Sequence, residues 1–86
     1  MKAEKVRFTK HATEKIEFLR KYGFHVTKAY VKDTVVHPHR VDQRNDQNLA
    51  VKPLNDEYAL RVVYERTNDN IVVITFYPVK RKRFNV

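Results

Sequence analysis

Apolar residues between Thr9 and Tyr22 recur at helical spacing. Ala12, Ile16 and Leu19 fall at i, i+4 and i+7, and Phe18 and Tyr22 widen the stripe. Thr9 stands where an N-cap is needed, Gly23 where a left-handed residue ends a helix, and Arg20 and Lys21 at the negative end of its dipole. A second, shorter helix is predicted from Thr27 through Tyr30, Val31, Thr34 and Val35. It must stop before Pro38, because the residue ahead of a proline avoids the α region. Beyond Pro38 the period changes to two. Strands are predicted at roughly His39 to Arg44, Asn48 to Leu54, Tyr58 to Arg66 and Asn70 to Val79. The breaks between them, Asn45-Asp46-Gln47, Asn55-Asp56-Glu57 and Asn68-Asp69, are turn chemistry built on Asn and Asp, which points to antiparallel hairpins. Glu4 to Phe8 is a candidate for one further short strand.

The register of the last hairpin decides which side chains share a face. Leu60, Val62 and Tyr64 form one apolar set and Val72, Ile74 and Phe76 another. Packing both under the helices requires a loop with an odd number of residues, most simply three, with Asp69 or Asn70 left-handed. A two-residue Asn-Asp turn would divide the core. In that register the opposite face carries Arg61, Val63 and Glu65 with Val73, Thr75 and Tyr77, and Lys52 joins it if Leu49 and Val51 point inward. The fold class expected is α+β, with two N-terminal helices packed on one face of an antiparallel sheet of about four strands. Residues 1-86 read as one domain with a basic C-terminal tail at 80-86.

Size and composition narrow the function classes. A chain of 86 residues removes only about 60% of its unfolded surface from water, so a large buried cofactor cavity is not expected. With no Cys there is no disulfide framework, thiolate zinc site or iron–sulfur cluster, and the cytoplasm is the expected compartment. No apolar run approaches the roughly 18 to 20 residues of a membrane span, and Met1 to Arg7 lacks the apolar segment of a signal peptide. Lys and Arg number 18 against 10 Asp and Glu, a formal net charge of +8. That balance favours a polyanionic partner: RNA, DNA or an acidic protein.

A single glycine excludes a phosphate-cradling glycine loop. His37-Pro38-His39 with Asp42 lacks the three or four convergent ligands of a transition-metal site, so neither cofactor nor metal is expected. The remaining set is metal-free: His11 in the first helical turn, Arg61 and Lys52 on the sheet face away from the helices, and Thr75 and Tyr77 beside them. RNA is cut without metal when a base removes the 2′-hydroxyl proton, an acid protonates the leaving 5′-oxygen and fixed cations stabilise the phosphorane. Imidazole titrates near neutral pH, guanidinium grips two phosphate oxygens, and a phenol donates a hydrogen bond or stacks on a base. Each residue also has a plain reading. His11 can be a solvated helix residue, Arg61 a surface partner of Glu65, Tyr77 a cover for sheet surface, and Lys80, Arg81, Lys82 and Arg83 a solvated run.

Phe8-Thr9-Lys10-His11-Ala12 opening an amphipathic helix, Pro38 after a second helix, Leu60-Arg61-Val62-Val63-Tyr64-Glu65, and Val72-Val73-Ile74-Thr75-Phe76-Tyr77-Pro78 together resemble a family of small prokaryotic domains allied to RelE/ParE and BrnT toxins. The resemblance implies a β-sheet behind two N-terminal helices and an RNA-cutting cleft. Carried over residue by residue, it places His11, Arg61, Thr75 and Tyr77 in that cleft. The Arg20-Lys21-Tyr22-Gly23-Phe24 stretch departs from the Arg-Gly-Ile type of junction common in such domains. The function expected is a metal-independent endoribonuclease of toxin type, with Lys52, Lys80, Arg81, Lys82 and Arg83 holding RNA and an acidic antitoxin as partner. The alternatives are a non-catalytic nucleic-acid-binding module on the same face and a protein-binding subunit of such a pair.

Overall fold

The computed structural model describes residues 5–86. The elements run β1 (Lys5–Phe8), α1 (Lys10–Lys21), α2 (Lys28–Val36), β2 (Arg40–Arg44), β3 (Gln47–Pro53), β4 (Tyr58–Thr67) and β5 (Asn70–Lys80), followed by a 3-10 turn over Arg81–Arg83. Local chemistry accounts for the helix ends. The Thr9 hydroxyl accepts from Ala12 N and the Thr27 hydroxyl from Tyr30 N, each satisfying an amide that the helix itself leaves unpaired. Gly23 takes φ +88 directly after α1, a conformation that costs glycine nothing.

The strands form one five-stranded sheet in the order β1-β5-β4-β3-β2. β2 to β5 are antiparallel neighbours, but β1 pairs with β5 in parallel, so the sheet is mixed where an antiparallel one was expected. No hairpin turn ties β1 to its partner, and nothing local dictates its direction. Of the strand expected at Glu4 to Phe8, Glu4 lies outside the described residues.

The β4–β5 hairpin corrects the expected register. Thr67 pairs with Asn70, so the turn has two residues, Asn68 and Asp69, with Asn68 at φ +48. Asn tolerates this left-handed conformation better than most residues. The core survives the short turn through a bulge. Tyr64 lies opposite Val73 but Val63 lies opposite Thr75, leaving Ile74 without a partner on β4. The extra residue restores the alternation. Ile71 and Val73 before it and Phe76 after it join Leu60, Val62 and Tyr64 in the core, in place of the expected Val72, Ile74 and Phe76. Ala12 and Leu19 of α1, Val31 and Val35 of α2, and Val26 between them cover this face. The buried Thr34 is satisfied by donating to the Tyr30 carbonyl at 2.8 Å.

Candidate nucleic-acid interface

The face of the sheet turned away from α1 and α2 is ordered in rows. Arg40 pairs with Val51, Val51 with Arg61 and Arg61 with Tyr77, so these four residues cross the sheet in line. The next row is Asp42, Leu49, Val63 and Thr75. Neighbours within a row are about 5 Å apart at Cβ, and successive rows are separated by about 7 Å along the strands. Thr75 and Tyr77 therefore lie opposite Val63 and Arg61 as expected, brought there by the bulge at Ile74.

His11 reaches this face around the sheet edge. β1 covers β5 only from Asn70 to Val73, and α1 begins where that cover ends. Thr9 N donates to the Val73 carbonyl at 3.2 Å and the Thr9 hydroxyl to the Ile74 carbonyl at 3.1 Å. The start of α1 is thus pinned to β5. His11, exposed two residues further on in the first turn of α1, has its Nε2 3.2 Å from Thr75 Oγ1, with donor and acceptor set by the imidazole tautomer.

Arg61 is half-buried on the face away from the helices, and its guanidinium lies 4.9 Å from the centre of the Phe84 ring. Glu65 is not its partner; the Glu65 carboxylate accepts from Gln47. Arg61, Tyr77, Arg83 and Phe84, with Tyr58 and Pro78, line an open cleft of about 470 Å3. His11 belongs to a separate shallow hollow of about 210 Å3 with Glu14, Lys15 and Phe18.

Lys52 does not stand on this face. It pairs with Leu60 in register and so points to the helix side, where its ammonium bonds Asp33 and lies 5.6 Å from the Tyr30 ring centre. Leu49 and Val51 point outward instead of inward, because Ala50 is the β3 residue opposite the core residue Val62. The basic run is folded back, not a loose tail. Lys80 bonds Glu57, and that bond raises the ammonium above its ordinary pKa. Arg81 donates to the main-chain oxygens of Asn55, at 3.0 Å, and Val86, at 2.9 Å. Lys82 and Arg83 are exposed and have no partner among the described residues.

His25, His37 and His39 are exposed, and among the described residues no three His, Asp or Glu side chains gather in a metal-holding group. No helix among them is long and apolar enough to cross a membrane. Two residues of this face escaped the sequence reading: Arg40, in line with Arg61, and Phe84, the aromatic that follows the basic run. An aromatic beside four cations is itself a pattern suited to a base and its phosphate. No family, no curated protein and no solved structure matches the chain.

Proposed function

We propose that this protein is a metal-independent endoribonuclease of toxin type, binding single-stranded RNA across the open sheet face. The observation that supports it is the adjacency of His11–Thr75 to Arg61–Tyr77 on neighbouring rows of that face. A phosphodiester laid along β5 spans this interval. As the 2′-oxygen bonds to phosphorus and the bond to the 5′-oxygen breaks, His11 serves as base to the first or acid to the second and water carries the other proton, while Arg61 neutralises the phosphorane and Thr75 and Tyr77 hold the imidazole and the phosphate in place. Lys82 and Arg83 extend the cationic track. The test is incubation of RNA and its deoxy analogue in EDTA: RNA is cut to cyclic-phosphate ends and the deoxy strand survives. Cleavage that stops when metal is chelated would eliminate this mechanism.

One observation favours a second reading, a nucleic-acid-binding module without catalysis. The cleft that holds Arg61, Tyr77 and Phe84 does not include His11. On that reading RNA binds with the same salt dependence and is never cut. In either case an acidic protein is a fitting regulator for a surface of this charge.

A further inference from the structure

Phe84 sits between two arginines. Its ring centre is 4.9 Å from the Arg61 guanidinium and 5.9 Å from that of Arg40, and Arg40 Nη1 donates to the Phe84 carbonyl at 3.2 Å. Register explains the arrangement, since Arg40 and Arg61 flank Val51 within one row. Val51 is fully buried although α1 and α2 pack on the other face of the sheet. The last residues hold this position through Arg81, which grips the Val86 main-chain oxygen at 2.9 Å.

The closure is imperfect at one atom. Among the described residues, Arg61 Nε is the buried side-chain nitrogen or oxygen with no hydrogen-bond partner. A buried guanidinium donor without an acceptor is unfavourable, and Nε is one of the donors an arginine uses to grip two phosphate oxygens at once. Beneath Phe84 that grip cannot form. Lifting the ring opens the side of the Arg61 guanidinium that Phe84 faces and frees Arg40 Nη1, while Arg40 Nε stays paired with Asp42 at 3.1 Å, so Arg40 offers a phosphate its Nη atoms.

We infer that Arg40 and Arg61 form a two-arginine seat for the phosphate of a single-stranded RNA nucleotide, and that residues 84–86 occupy this seat as an internal competitor. The inference rests on the reading that this face binds RNA. It adds a second phosphate-binding arginine and a closed state that RNA must open. A ligand that needs a minor conformer has its apparent affinity reduced by the fraction of molecules in that conformer.

The test measures binding of a short oligouridylate to the full chain, to Phe84→Ala and to Arg81→Ala. If the open state is populated at 1 to 10%, Phe84→Ala binds roughly 10- to 100-fold more tightly. Arg81→Ala shows a smaller gain, and adding Arg40→Gln and Arg61→Gln removes it. A folded Phe84→Ala variant that binds equally or more weakly overturns the inference, the weaker case making Phe84 a stacking platform for the base. If Phe84→Ala does not fold, Arg81→Ala, which leaves the ring in place, decides in the same sense. An independent readout is the Arg61 Nε–H resonance titrated with inorganic phosphate. If no variant binds RNA but phosphate shifts this resonance more strongly in Phe84→Ala, the seat stands and the RNA reading falls. No response to either probe overturns the seat.

Discussion

His11 Nε2 lies 3.2 Å from Thr75 Oγ1, a contact between residues 64 positions apart. It brings a helix imidazole to the edge of the face that carries Arg61. Loss of a general acid or base costs on the order of 10² to 10⁴ in rate. His11→Ala is therefore expected to remove RNA cleavage while leaving the melting temperature and RNA affinity nearly unchanged. Arg61→Ala lowers both cleavage and binding. Parallel cleavage and binding curves for the two variants check this, and retained cleavage in His11→Ala would sink the catalytic role.

Salt dependence separates the free cations from the occupied ones. Each phosphate neutralised on a single strand contributes about 0.7 to the slope of log affinity against log salt. Lys82→Ala and Arg83→Ala should each flatten that slope by close to this amount. Lys52→Ala should leave it unchanged, because Lys52 is bonded to Asp33 on the helix side. Binding isotherms at several salt concentrations read the difference directly.

The bulge predicts an unusual mutational contrast within one strand. Ile71 and Phe76 belong to the core and Ile74, the unpaired residue, does not. Ile71→Ala should cost about 2 to 5 kcal/mol and Phe76→Ala about 3 to 5 kcal/mol by cavity formation. Ile74→Ala should cost clearly less than either. Denaturant unfolding of the three variants tests the register, and an Ile74 variant as damaged as Ile71→Ala would contradict it.

Alkaline pH should weaken the fold. Burial raises the Tyr30 phenol above its ordinary 10.0, and the hydrogen bond to Glu57 raises the Lys80 ammonium above 10.5. In both cases the folded state holds the proton more tightly than the unfolded chain. The contribution is complete below the unfolded pKa and is lost as pH rises through the folded one. Stability is expected to be flat below about pH 9 and to fall above about pH 10. Tyr30→Phe should make that decline shallower, while losing about 0.5 to 1.5 kcal/mol at neutral pH with the hydroxyl bond to the Pro53 carbonyl.

Signals carried by near neighbours could be read without coordinates. Thr9, Thr27 and Gly23 mark helix ends through the backbone groups they satisfy, and the Asn-Asp pairs mark the turns. Arg61, Thr75 and Tyr77 share the expected face, but the bulge at Ile74 brings them together and not the expected three-residue turn. The bulge at Ile74 was not legible, since Ile suits a paired position as well as an unpaired one and only the competing burial of Val73 and Phe76 forces it. The alternation hides the true face of Lys52 for a related reason. Leu49 and Val51 are more apolar than Ala50, yet the space opposite Val62 beneath the helices takes the small residue. Phe84 depends on a chain reversal after β5 that no turn residue announces.

The parallel pairing of β1 with β5 also bears on the order in which the protein assembles. The β2–β3, β3–β4 and β4–β5 ladders each join adjacent segments, so their loops close at little entropic cost. The β1–β5 ladder must bring Lys5 to Asn70, the most distant contact in the sheet, and contacts of large sequence separation form slowly. The arginine row of β2 and β4 is then expected to form before Thr9 docks on β5. At that stage Arg61 stands in its row while His11 is still unplaced. Completion of the edge strand would be the step that turns a cationic surface into a geometrically defined one.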